Sequence, residues 1–292
     1  MIMPAVIYFI IFNYLPMAGI VIAFKNYQYN LGIFRSEWIG FKNFSFFFAS
    51  GKAWLLTKNT ILYNAAFIMT GVVFQVSLAI FISELKNKYF KKIAHSIIFL
   101  PYFISWVIVA AMAYNLLSFD YGVINNVLRS LGLEPANIYG DTKAWKYLLV
   151  AFNNWKSIGY GSVVYIAVIT GISPEMYESS KLDGANVLQR IWHIILPMLK
   201  PTVIILVLLS VGGILKGNLD MFYQLVGNNS MLFNATDVID TYVLRSVMGL
   251  MNTGVNYGIS TAIGLYQQII GFFLIITVNL IIRRTNSEYA LF

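Results

Sequence analysis

Long apolar runs alternate with shorter polar connections along this chain. Stretches of about 18 residues or more, enough to cross about 30 Å of hydrocarbon as helix, fall at roughly 3–24, 60–83, 96–117, 147–171, 201–217 and 258–282. An all-α membrane protein of roughly six transmembrane helices, in a single domain over 1–292, is therefore predicted. The first run, PAVIYFIIFNYLPMAGIVIAF, has neither the basic leading region nor the small-residue cleavage site of a signal peptide. Asn13 and Pro16 interrupt it, so it predicts a kinked spanning helix. The chain begins almost inside this run, and a basic tail ahead of it is expected to be missing.

One polar connection, ESSKLDGANVLQRIWHIILP, carries strong local signals. Just upstream, Ser173, Pro174 and Glu175 offer an N-cap, a proline for the first helical position and an acid at the positive end of the dipole. Asp183-Gly184 predicts the stop, because glycine supplies the left-handed backbone that a helix end requires. A second helix is predicted from near Ala185, with Val187, Leu188, Ile191, Trp192, Ile194 and Ile195 on one side and Gln189, Arg190 and His193 on the other. Pro197 is expected to close it. The product is a helix–turn–helix elbow over about 172–200, with Glu178, Asp183 and the small Ser179, Ser180 and Ala185 around the bend. Small residues at a bend permit close backbone approach, so the elbow reads either as a docking knob or as a solvated loop in which glycine only lets the chain turn.

Composition agrees with the apolar pattern, since 59% hydrophobic and only 11% charged residues lie far outside soluble-globular usage. A net charge of +8 raises nucleic acid as a partner. The cations are instead dispersed or clustered beside apolar runs, where positive-inside topology accounts for them, and no nucleic-acid partner is expected. Lys86, Lys88, Lys91 and Lys92 crowd one loop; Lys181, Arg190 and Lys200 lie in the elbow; Arg283 and Arg284 follow the last run. The opposite loops, 25–59, 118–146 and 218–257, are longer, with sparser basic residues mixed among acids. Both termini and the elbow are therefore expected on the cytoplasmic side. Trp38, Trp54, Tyr139, Trp145 and Tyr223 in the outer loops suit interfacial belts. The chain has no cysteine and 2 histidines, which leaves no disulfide framework and too few ligands for a metal centre. The N-x-[ST] matches at Asn43, Asn228 and Asn234 read as accidental.

The stretch YESSKLDGANVLQRIWHIILPMLKP resembles the EAA loop of ABC importer permeases, in which Glu-Ala-Ala is followed by a spaced Gly and then Ile-x-Leu-Pro. Glu178, Gly184, Ile194, Leu196 and Pro197 match, while Ser179 and Ser180 replace the alanines and keep the bend small. YLPMAGIVIAFKNYQ, FLPYFISWVIVA, GGILKGNLDMFYQL and DVIDTYVLR resemble segments of alginate and oligosaccharide importer permeases, the MalF/LplB-like carbohydrate branch of the binding-protein-dependent inner-membrane components. That resemblance implies a type I importer fold with a cytoplasmic coupling helix. It implies a pore subunit that moves oligosaccharides by alternating access from an external binding protein, lipid-anchored or periplasmic, across a bacterial inner membrane. A second permease subunit in a heterodimer and two ATPase subunits are the further partners implied. Glu178, Ser179, Ser180, Asp183, Gly184, Ala185, Leu196 and Pro197 would couple to the ATPase. ATP and Mg would be held by the ATPase partners, with no cofactor on this chain. No G-x-x-x-x-G-K-[ST] phosphate loop occurs, and SGK at 50–52 lacks both the leading glycine and the following hydroxyl residue.

Polar and aromatic side chains within spans are costly against lipid and suit a sugar path of stacked rings and amides. Trp106, Asn153, Asn154, Trp155, Tyr160, Tyr266 and Gln267, with Asp220 near the outer end of the fifth run, are the candidates. Each also reads as an interfacial anchor or an interhelical hydrogen bond. Lys216 and Arg245 would neutralise a uronic acid, and Gly258, Ser260, Gly264 and Gly271 form a small-residue packing pattern. The competing reading, a self-sufficient secondary transporter of small polar solutes, requires coupling carboxylates buried in the spans. The acids here fall in loops or at span ends, with Glu84 nearest to an exception, and no clustered nucleophile, base or metal set marks an enzyme.

Overall fold

The structure, a computed structural model, describes residues 2–227, 229–250 and 255–285, with Thr285 described by its backbone alone; Asn228 lies outside them. The principal helices are α1 (Met3–Phe24), α2 (Lys42–Ala49), α3 (Lys52–Glu84), α4 (Lys88–Phe99), α5 (Trp106–Leu117), α6 (Thr142–Thr170), α7 (Pro174–Leu182), α8 (Val187–Gly212), α9 (Leu219–Val226), α10 (Ile239–Val247) and α11 (Tyr257–Thr285). Among the described residues 4 helices are long and apolar enough to cross a membrane, namely α1, α3, α8 and α11, or up to 6 spans if each bent pair counts as one.

The bent pairs correct the straight spans expected from the apolar runs. The third run does not form one helix: α4, extended by a tight turn over Leu100–Phe103, meets α5 at 96°. Pro101 starts that turn, and Ser105 caps α5 by accepting the Ile108 N–H, so the chain has both a stop and a fresh start. The other pair is α6 and α7, bent by 70° at Gly171–Ser173, where the elbow begins.

The fifth span differs too. It begins at Val187 rather than 201, and Pro197 does not close the second elbow helix but lies inside a continuous α8. The turn just before it, Ile191–Ile195, is a wide π turn, with the Leu196 N–H reaching back to the Ile191 carbonyl. Widening separates the proline ring from the carbonyl of His193 and absorbs the bond its missing N–H cannot make. In α1 the same device recurs: a π turn at Ile10–Tyr14, closed by the Leu15 N–H on the Ile10 carbonyl, precedes Pro16. At the position of the expected kink the helix changes type, from α through π to 3-10.

The molecule divides into two compact units. In the first (Met1–Ile61, Leu215–Leu219 and Asp237–Phe273) a two-residue ladder pairs Lys25 with Trp38 and Asn26 with Glu37. The buried Asn43 amide fastens α2 to the end of α1 by donating to the Ala23 and Lys25 carbonyls at 2.8 and 3.1 Å. In the second (Leu62–Ile214, Asp220–Thr236 and Leu274–Phe292) the core joins Val76 and Ala79 of α3, Tyr165 and Ile169 of α6, and Ile195 and Leu199 of α8. This core underlies the elbow. Trp145, expected in an interfacial belt, is wholly buried, its indole N–H donating to the Tyr139 carbonyl at 3.1 Å.

Candidate functional site

The elbow is built as its sequence dictates. Ser173 caps α7 through its hydroxyl, which accepts the Glu175 N–H, and Pro174 takes the first helical position. At the far end Gly184 adopts φ +74°; its N–H donates to the Lys181 carbonyl and the Ala185 N–H to the Ser180 carbonyl. These are the two bonds of a Schellman closure. Asn186 then opens α8 in a reciprocal capping box with Gln189, one residue past the expected start.

Glu178, Ser179, Asp183 and Gly184 are exposed, while Ser180 is buried and Ala185 half-buried. A side chain added at Gly184 would meet nothing within 4 Å, so this glycine serves backbone conformation and leaves open space above the bend. Around it Leu182 is 90% exposed, and Leu188 and Trp192 are exposed as well. Ile194 and Ile195 turn inward to the core, with Leu196 packed against it and Pro197 exposed. Arg190, expected on the polar side, points inward and pairs with Glu84 at 3.2 Å, tying α8 to the end of α3. Burial pushes the nearby Tyr177 hydroxyl pKa up, the Glu84 charge adds to this, and Arg190 opposes it. The elbow is thus anchored on its inner side and apolar and acidic on its outer side.

The intramembrane candidates fall into two sets. In the second unit, the Lys156 ammonium of α6 donates to the carbonyls of Pro101, Tyr102 and Ile104 at 3.3, 2.6 and 2.5 Å. It also lies 5.5 and 5.6 Å from the ring centroids of Trp106 and Tyr102. Tyr102 stacks in parallel on Tyr160 at 4.2 Å. Trp106, Tyr160 and Lys156 are therefore brought together at the α4–α5 break. Trp155 is exposed and Asn153 half-buried, whereas Asn154 is buried and donates to the Thr70 hydroxyl at 2.8 Å. Asp220 is exposed in the first turn of α9. The reading of polar residues in spans passed over Lys156; the signal available was a lysine inside the apolar run 147–171.

In the first unit, Tyr266 is held among Phe47 and Phe48, its hydroxyl 3.0 Å from that of Thr57. Gln267 is buried, and its side-chain amide donates to the Leu215 carbonyl and to Asp240. Asp240 also accepts the Gly217 N–H at 2.6 Å. Arg245, one of the two cations considered for a uronic acid, is buried in an ion pair with Asp237 at 2.5 Å. Gly258 packs tightly against Asn43, whereas Gly264 faces open space.

Comparison with known proteins agrees with this geometry. The family model described as binding-protein-dependent transport system inner membrane component matches residues 75–287, which contain the whole elbow. The polygalacturonan/rhamnogalacturonan transport system permease protein YteP of Bacillus subtilis (strain 168) is 35% identical over 288 residues, 99% of this chain and 88% of the relative. A crystal structure of a bacterial ABC transporter involved in the import of the acidic polysaccharide alginate contains a chain 33% identical, with a TM-score of 0.85 over 97% of this chain and 93% of that one. A second structure, of the bacterial alginate ABC transporter with an alginate pentasaccharide-bound periplasmic protein, matches at 32% identity and a TM-score of 0.84, covering 97% and 92% of the two chains.

Proposed function

The chain belongs to the family of binding-protein-dependent transport system inner membrane components, the membrane-spanning subunits of ABC importers, and we propose that it forms half of a pore for oligosaccharides, acidic ones foremost. It is a single permease domain of a bacterial inner membrane, with both termini and the elbow cytoplasmic. A second, non-identical permease subunit completes the pore. The nearly bare α1, with 0% of its apolar window buried, supplies surface for lipid or for that neighbour. A solute-binding protein outside the membrane delivers the sugar. Two ATPase subunits hold ATP and Mg and hydrolyse the nucleotide, so this chain is not itself catalytic.

The observation that carries the reading is the elbow. Its first arm, α7, follows α6 across the 70° bend, its second is the start of the spanning helix α8, its own bend is fixed by the Schellman closure, and its inner face is bolted to α3 by the Arg190–Glu84 pair. Its outer face presents Glu178, Asp183 and the exposed Leu182. A push on that face moves the elbow as a body and passes into the spans, as rigid-body switching requires. The sugar path in the second unit runs along Trp106, Tyr160, Asn153 and Trp155, where ring faces stack on sugar faces. Relatives that handle polygalacturonan and alginate support the acidic substrate class.

Uptake and ATP hydrolysis measured together in proteoliposomes holding the whole complex test the coupling role. Glu178→Lys and Gly184→Pro are expected to leave the permease inserted and assembled but to abolish stimulation of ATP hydrolysis by the sugar-loaded binding protein. Unchanged uptake in both variants would remove the elbow from the mechanism.

A further inference from the structure

Behind the elbow, the end of α3, the start of α4, the end of α6 and both elbow arms enclose a cavity of about 860 Å³. It is lined by Lys86, Lys91, Lys181 and Arg190 against Glu84 and Glu178, so four cations face two carboxylates. Arg190 spends one nitrogen on Glu84, while its Nε is buried without a partner. Part of the wall is hydrocarbon, from Ile169 and Ile172 of the core. Cations gathered in a concave space with a low-dielectric wall focus positive potential and draw in counter-anions. The excess of two positive charges matches a phosphate ester, which carries about −1.5 to −2 near neutral pH as a monoester and offers several strong acceptor oxygens. The volume exceeds what phosphate alone would fill and falls within the roughly 300–1,000 Å³ usual for small-molecule sites.

We propose that this cavity binds a phosphate ester on the cytoplasmic side, supplied either by an acidic phospholipid headgroup or by a phosphorylated small molecule. The anion draws Lys86, on the link between α3 and α4, and Lys91, in the first turn of α4, toward Lys181 and Arg190, one on each arm of the elbow. Occupancy therefore stiffens the elbow against the bundle. Binding stands apart from the transport reading; only its effect on coupling rests on it.

The whole complex in phosphatidylcholine nanodiscs tests this in two arms. One replaces part of the phosphatidylcholine by phosphatidic acid, a phosphate monoester, and reads retained lipid by native mass spectrometry. The other titrates glucose 6-phosphate, with glucose as control, and reads binding by thermal shift. One arm is expected to show binding that weakens about tenfold in Lys86→Gln/Lys91→Gln, persists in Lys86→Arg/Lys91→Arg, and falls as salt is raised. Binding in neither arm, or equal binding in wild type and the Gln pair, overturns the proposal. Loss of the ATPase subunits from the Gln pair, with anion binding unchanged, overturns it in favour of an ATPase contact.

Discussion

Lys156 places a charged ammonium within an apolar helix, where water is scarce and every polar group must find a partner in the protein. The Pro101 break supplies them: a helix that stops leaves carbonyls without intrahelical donors, and the ammonium serves those of Tyr102 and Ile104 and shares that of Pro101 with the Ile104 N–H. Lys156→Met would take this donor from the Tyr102 and Ile104 carbonyls, at about 1–3 kcal/mol for each that stays away from water. A clear fall in the melting temperature of the detergent-solubilised complex is expected, with Lys156→Arg falling less. A methionine variant as stable as wild type would show that the break does not depend on the lysine. Residue choice from sequence names the kind of group and leaves its partners open. Trp106 and Tyr160 were legible as ring candidates, but the lysine over Trp106 and Tyr102 was not, because its partners come from a distant part of the chain. Gln267 and Arg245 were legible as polar groups inside the molecule, yet their donors are committed to Leu215, Asp240 and Asp237, and only tertiary contacts reveal that.

Element boundaries follow the same logic. The elbow was readable almost residue by residue because caps, proline at the first turn and the Gly184 stop are local signals. The α4–α5 bend and the continuity of α8 through Pro197 were not, because a proline reads as a terminus unless the preceding turn widens, and that widening has no strong local signature. Glycines show a similar gap. At Gly159 in α6 an added Cβ would fall onto the Ile98 carbonyl of α4, so the two backbones touch there, whereas at Gly264 in α11 it would meet nothing within 4 Å. Gly159→Ala is expected to cost about 1–3 kcal/mol by forcing the helices apart. Gly264→Ala is expected to be neutral, or to stabilise by up to about 1 kcal/mol through helix propensity. Thermal unfolding of the two variants checks the contrast. A loss at Gly264 as large as at Gly159 would mean that another subunit seats against α11.

Across the whole molecule, the placement of charge against the spans decides which way the chain faces. The basic clusters Lys86, Lys88, Lys91 and Lys92, the elbow cations and the pair Arg283 and Arg284 are all expected on one side, provided that each bent pair crosses the membrane once. Retention of short basic loops in the cytoplasm then orients every span, since each crossing reverses direction. Bending α4 against α5 does not alter this count, because the pair still connects a basic loop to a mixed one. The chain has no cysteine, so a single introduced thiol reports its own side without background. Cysteine at Lys88 or Asn186 is expected to react with a membrane-impermeant maleimide only from the cytoplasmic side, and cysteine at Asn229 only from outside. The loop after α5 separates two cases, because a re-entrant α4–α5 pair would leave that loop on the same side as Lys88. Cysteine at Tyr121 tests that loop directly, since its side chain is exposed just beyond α5. Labelling of position 121 from outside, together with position 88 from inside, makes the bent pair a full crossing and gives an even number of spans. Cytoplasmic labelling at both makes it a hairpin, and the elbow, which is two crossings further on if the pair spans, would then have to be reassigned with it.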